Sequence, residues 1–251
     1  MAMTDEIKQE TKKLKDMSFK KKIEYIWEYY KIPIIGGIAA AILLTVFISD
    51  YIDGRRPVYL DALMINSNFS FDRTNTVYDD FAKSAGVDLD EYQMFIDMSM
   101  RLNGGDFNEM ELASQSKLMA MYAAHELDAM IGPVDIMEGP ADADCYADLT
   151  TILSKEQMDE LSERGYEFYT YPGPKAPEFD YLDDEDSKAE RENFVPYIAG
   201  VYLDNSSYLN NQGDYGAYNP PTSEGERPIF TISITAPHPE HAVEFLMFLC
   251  E

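Results

Sequence analysis

The sequence predicts an α/β protein: a mixed central sheet with flanking helices in a single compact lobe, preceded by one N-terminal transmembrane helix. Three observations carry this reading. Residues 32–49, IPIIGGIAAAILLTVFIS, are a run without charge, and at the rise of an α-helix they extend about 27 Å, close to the hydrocarbon thickness of a bilayer. Beyond them, short apolar runs rich in β-favouring residues alternate with stretches of helical periodicity. The charge also divides at this place: residues 1–31 hold eight lysines against six acids, a net of +2, whereas the remainder holds 12 Lys and Arg against 40 Asp and Glu, a net of −28.

These observations set three regions: a basic and aromatic tail at 1–31, a membrane anchor at 32–52, and an acidic α/β domain at 57–251. In the tail, Lys20, Lys21 and Lys22 precede Tyr25, Trp27, Tyr29 and Tyr30. Lysines favour the cytoplasmic flank of a span and amphipathic rings favour the headgroup level, so the tail is expected inside and the large domain outside the cell. Pro33 is expected in the first turn of the span, where its missing N–H costs little. The charged leader is long for a signal peptide and no A-x-A site follows, so the span reads as an uncleaved anchor. The pairs Gly36/Ala40 and Gly37/Ala41 can seat a helix dimer, or are simply small residues of a membrane helix.

The domain elements follow in order. Residues 58–65, VYLDALMI, read as a strand. Residues 66–70 form a loop, and 71–85 a helix with Val77, Tyr78, Phe81 and Ala85 on one face and Gly86 as its stop. A second strand is expected at 92–98 and a turn at Asn103-Gly104-Gly105. A helix follows at 107–125, with Met110, Leu118, Met121 and Tyr122 near one face. A third strand at 127–131 is stopped by Gly132-Pro133 and completes a β-α-β-α-β order, which implies crossover helices and parallel pairing. After a loop, Ser154 caps a helix at 155–164 that ends at Gly165, and a strand is expected at 166–171. Residues 172–191 read as a polar excursion, 195–203 as a strand, 204–227 as a long Tyr- and Asn-rich loop, 229–234 as a strand and 239–249 as a closing helix.

The acidic domain repels phosphate backbones, which argues against a nucleic-acid partner. Cys145 and Cys250 could form one bridge outside the cell, or remain two partly buried thiols. No P-loop, G-x-S-x-G, H-E-x-x-H or G-x-G-x-x-G motif is present. His238 and His241 lie at helical spacing at the start of the last helix, but a third metal ligand is not fixed by spacing, and Pro237 and Pro239 suit a helix entry. Asp142, Asp144 and Asp148 read as a solvated acidic loop, since the further ligands of a Ca²⁺ loop are missing. No cofactor is therefore expected.

From residue 125 onward, four segments carry a resemblance: HELDAMIGPVDIM, CYADLTTILS, PYIAGVYLD and HAVEFLMFL. Together they resemble part of a type 2 extracellular solute-binding protein, with room here for one lobe and a trimmed second. That resemblance implies a truncated solute-binding fold. The segment FKKK followed by W-x-YYK is similar to a group of single-span membrane-anchored proteins of Gram-positive gut bacteria, which implies the same topology.

The expected function is a membrane-tethered, extracellular, non-catalytic module. Its partners would be the bilayer, through the span, and an extracellular small molecule, peptide or membrane protein, as an accessory to a transporter or surface complex. The alternative is an extracellular hydrolase whose site follows no familiar motif. Sites in open α/β sheets lie beyond the carboxyl ends of the strands. The loops leaving the first strand, the third strand and the strand at 195–203 are therefore expected at one rim, with Asn66, Asn68, Asp135, Asn205, Tyr208 and Tyr215 around any functional surface.

Overall fold

The computed structural model describes residues 18–68, 76–102, 109–175, 185–213, 215, 221 and 223–251. The chain divides into two units after Arg56. The first contains α1 (Phe19–Asp53), a single helix of 35 residues. Its window Lys31–Ile48 has a mean hydropathy of 2.2 and none of it is buried, so α1 is long and apolar enough to cross a membrane. The helix begins well before the apolar run. Pro33 therefore lies in its interior instead of its first turn, because the lysine and aromatic segment joins the same helix. Thr45 Oγ1 returns to the carbonyl of Ala41 at 2.9 Å and hides its own polarity.

The second unit, Pro57–Glu251, is an α/β domain with a six-stranded mixed sheet. Its elements are β1 (Val58–Met64), α2 (Thr76–Ala85), β2 (Gln93–Asp97), α3 (Glu109–Ala124), β3 (Ala129–Pro133), α4 (Val134–Asp142), α5 (Lys155–Glu163), β4 (Phe168–Tyr171), α6 (Glu185–Asn193), β5 (Tyr197–Tyr202), α7 (Ser207–Gln212), β6 (Pro228–Ile232) and α8 (Pro239–Leu249). The strand order is β2-β1-β3-β6-β5-β4. β1 pairs in parallel with β2 and β3, whereas β6 runs antiparallel to both β3 and β5, and β4 antiparallel to β5. Consequently β1, β2, β3 and β5 all point the same way.

Strand alternation sends side chains to two cores, one on each face. Leu60, Ala62 and Met64 of β1 join Val77 and Phe81 of α2, Leu161 of α5, and Ala242, Phe245 and Leu249 of α8. Leu63 and Ile65 face the other way, toward Leu118 and Tyr122 of α3 and Val134, Met137 and Ala141 of α4. In the first core the rings of Phe81 and Phe245 meet at 4.8 Å between centroids, in a tilted arrangement that aromatic pairs favour. Cys250 belongs to that core and Cys145 to the other, and both are free thiols. Burial pushes the Cys250 thiol up to about 12 and also raises Cys145, so neither is a reactive thiolate.

Several expectations are corrected by the sheet and its helices. β3 does not stop at Gly132-Pro133: Gly132 pairs with Ile229 and Pro133 with Pro228. The proline closes the strand at its last position, where a missing donor is tolerated. The expected loop after it is α4, whose Val134, Met137 and Ala141 are buried at helical spacing. Gly139 and Pro140 disguise it, yet Pro140 falls near the helix end. The polar excursion contains α6, and the Tyr/Asn loop contains α7. α7 is capped by Ser206, whose Oγ accepts from Leu209 N at 3.1 Å, and it is stopped by left-handed Gly213. Ser154 as the cap of α5 and the bounds of α8 are as read from the sequence, and Gln157 completes a capping box with Ser154 that the sequence reading did not include. The Asn103-Gly104-Gly105 turn lies outside the described residues, as do residues 71–75 of the expected second helix.

Candidate functional site

Pairing across the sheet brings the carboxyl ends of β3 and β5 to one edge. Tyr202 of β5 pairs with Ile229, and Ile229 pairs with Gly132 of β3, so the three lie on one rung. The structure then separates the six residues expected there. Asn66 adopts a left-handed φ of 58°, and its side chain grips Leu102 twice: Nδ2 donates to the Leu102 carbonyl at 2.6 Å, and Oδ1 accepts from Leu102 N at 2.9 Å. Tyr215 is buried, and its hydroxyl donates to the carbonyl of Ile65 at 2.7 Å and lies 3.2 Å from that of Ile131. It fastens the ends of β1 and β3 together. Asn68, Asp135 and Asn205 are exposed. Asn205 Nδ2 donates to the Gly165 carbonyl at 3.3 Å. Tyr208 turns to α2 and α8, with its hydroxyl donating to Asp80 at 2.7 Å and its ring 4.7 Å from that of Phe248.

Tyr215 therefore serves packing. Tyr215→Phe should keep the ring in place while removing both contacts to strand-end carbonyls. The expected cost is about 1 kcal/mol, read as a lower urea midpoint. An unchanged midpoint would refute this role.

Of the six, Asp135 lines a groove between α3 and α4 with Leu102, Leu118, Met119, Ile136 and Pro140, of about 390 Å³. Asn66 borders it indirectly, through its grip on Leu102.

A denser collection of chemical groups sits at the opposite edge of the sheet. β1 carries one aspartate in an apolar run, Leu60-Asp61-Ala62, and the segment entering the neighbouring β3 carries another, Leu127-Asp128-Ala129. Asp128 is fully buried. Its carboxylate accepts from Asp61 N at 2.9 Å and from His238 N at 2.7 Å, and stands 3.3 Å from His238 Nδ1. Its own N–H donates to the Asp61 carbonyl at 2.9 Å. Asp128 thus ties β1, the entry to β3 and the entry to α8 in one place. His241 stacks on Tyr59 at 3.8 Å, with Nδ1 2.6 Å from the Tyr59 carbonyl. The Tyr59 hydroxyl donates to Glu244 at 2.6 Å.

Asp61 differs from Asp128. Its side chain lines a pocket of about 400 Å³ with Val58, Phe95, His125, Glu126, Pro237 and His238. Burial pushes its carboxyl up to about 7, reinforced by the charges of Asp128, Glu126 and Asp97 and opposed by Lys117. Lys117 itself is bonded to Asp97 at 2.6 Å. The sequence carries a signal for this pocket that motif reading missed: a single acid inside each of two short apolar runs, 60–62 and 127–129, since charged residues are rarely buried without a purpose. The convergence of His125 and His238 on it has no local signal.

Two of the three loop acids have structural partners for their side chains. Asp148 Oδ1 accepts from Thr150 N at 2.9 Å, and Asp142 accepts from the Tyr171 hydroxyl. Among the described residues, no three His, Cys, Asp or Glu side chains are grouped to hold a metal ion.

Fold and site together define an α/β domain with a mixed six-stranded sheet, joined in sequence to one long apolar helix. No protein-family model, no curated protein and no solved structure matches the chain.

Proposed function

We propose that the chain is a single-pass, membrane-tethered module that binds a ligand or partner without transforming it. The tail at 1–31 would be cytoplasmic and the domain at 57–251 extracellular, where it could serve a transporter or surface complex. One observation carries this reading: α1 exposes its apolar side chains along the window Lys31–Ile48, while the α/β unit closes its own two cores. Among the described residues this window is wholly exposed, and a helix of that length and hydropathy suits a bilayer. The lysine-rich flank supports the orientation. The likeness of the four later segments to type 2 solute-binding proteins supports binding as the activity. The engagement of His241 by Tyr59 favours binding over hydrolysis, because that imidazole already braces the fold. The hydrolase reading keeps one supporting observation, the Asp128–His238 couple, which is an acid–imidazole pair of the kind that orients a general base.

Protease added to intact cells tests the topology. The expected result is removal of the α/β domain with the tail protected. Protection of the domain would overturn the proposal.

A further inference from the structure

We propose that the pocket around Asp61 binds a small organic cation, a protonated aliphatic amine, through the Asp61 carboxylate. This rests on the reading of the chain as a binding module and names the ligand class.

Four observations converge on it. The pocket, at about 400 Å³, is of the size that takes a small molecule. Its walls combine two carboxylates, Asp61 and Glu126, with the apolar side chains of Val58, Phe95 and Pro237. That combination suits a charged head on a hydrocarbon body. The surrounding field is negative: Asp128 and Asp97 add their charge, and Lys117, the cation that acts on Asp61 among the described residues, is already paired with Asp97. An anionic ligand would be repelled there.

The third observation is the contrast between the two aspartates, Asp61 in β1 and Asp128 at the entry to β3. Asp128 is saturated by donors from Asp61 N and His238. Among the described residues, no group donates a hydrogen bond to the Asp61 carboxylate, although the residue is largely buried. An ammonium group carries three donors and a compensating charge, and would supply what the fold does not. The fourth is Phe95, the register partner of Asp61 across β1 and β2, which remains 45% exposed. An aromatic ring beside a carboxylate adds a surface on which methylene groups or a cation can rest.

The pH dependence has a definite sign. Asp61 titrates near 7, so below that value the pocket is largely protonated on this carboxyl. Amine binding should strengthen as pH rises through 7 and should release protons below it. The groups facing Asp61 are Asp128 and Glu126 at the entry to β3, Asp97 on β2, Lys117 on α3, His125 after α3, and His238 before α8.

The test is calorimetric titration of the full chain in detergent with cadaverine, with a lysine residue blocked at both ends, and with 1,5-pentanediol as the neutral control. Saturable binding of cadaverine alone identifies a free amine, and binding of the blocked lysine identifies a protein side chain. Either supports the proposal if the diol does not bind. Affinity should fall roughly tenfold or more from about pH 8.5 to about pH 5.5, and by a similar factor in Asp61→Asn. Phe95→Ala should weaken binding severalfold. Asp61→Asn should retain the urea midpoint of the parent chain, which separates lost binding from lost folding. Absence of saturable binding of both amines at millimolar concentration, equal binding of the diol, or undiminished binding in Asp61→Asn would overturn the proposal. Such a failure leaves the membrane topology standing, because the protease experiment reads it independently.

Discussion

Asp128→Ala should destabilise the α/β domain by roughly 3 kcal/mol, a large share of the few kcal/mol by which domains exceed unfolding. The carboxylate is fully buried and accepts from the backbone N–H groups of Asp61 and His238. Removing it strands two donors away from water. Each costs about 1–3 kcal/mol when unsatisfied, and the His238 ring loses its anchor as well. Asp128→Asn should fall between the two, since its single carbonyl oxygen can replace only one of the carboxylate oxygens. Urea unfolding of the full chain in detergent reads the difference, with a drop in midpoint of roughly 1–2 M for the alanine variant. The signal should come from tyrosine bands in near-ultraviolet circular dichroism, because the only tryptophan, Trp27, lies in α1. An alanine variant within about 0.5 kcal/mol of the parent would reject Asp128 as the tie between β1, β3 and α8.

Gly200→Ala should cost about 2–3 kcal/mol, although it adds a single methyl group. Gly200 sits in β5, paired with Tyr169 on one side and Thr231 on the other. A Cβ there would lie 2.7 Å from the carbonyl oxygen of Phe230 and 3.3 Å from Thr231 Cγ2. The first is backbone of the neighbouring strand and cannot rotate away. The position also adjoins an irregularity, where the register between β4 and β5 shifts between Tyr169 and Thr170. That shift lets Ala199 and Tyr202 face one core while Val201 faces the other. Forcing the strands apart would disturb both cores. A fall in melting temperature of roughly 4–10 °C is expected, with faster hydrogen exchange at Val201 and Phe230. An unchanged melting temperature would show that β5 can shift freely against β6.

Much of the architecture was legible because its signals are local. The run at 32–49 is long and uncharged, and the periodicity, proline entry and apolar face of α8 lie within eleven residues. The same holds for Ser154, which caps the helix that begins at the next residue. Helices α4, α6 and α7 were obscured by composition, since Gly, Pro, Asn and acidic residues favour turns on average. In α4 that preference was overridden by burial of Val134, Met137 and Ala141 against β3 and β6.

The sites were less legible, and for a physical reason. Whether a polar side chain is available depends on whether a distant group already satisfies it. Tyr215 looked like part of a binding loop until the carbonyls of Ile65 and Ile131, 150 and 84 residues away, claimed its hydroxyl. Asn66 likewise serves Leu102. The sequence alone established an apolar membrane-length helix, an acidic α/β domain and the β-α-β-α-β opening, because hydrophobic period and charge are read within a few turns of chain. Only the tertiary structure decided that β6 inserts between β3 and β5, that Asp128 is saturated while Asp61 is not, and that His125 and His238 line one pocket with Asp61. Strand pairing and hydrogen-bond satisfaction join residues more than a hundred positions apart, and no local pattern encodes which of the possible partners will be adjacent.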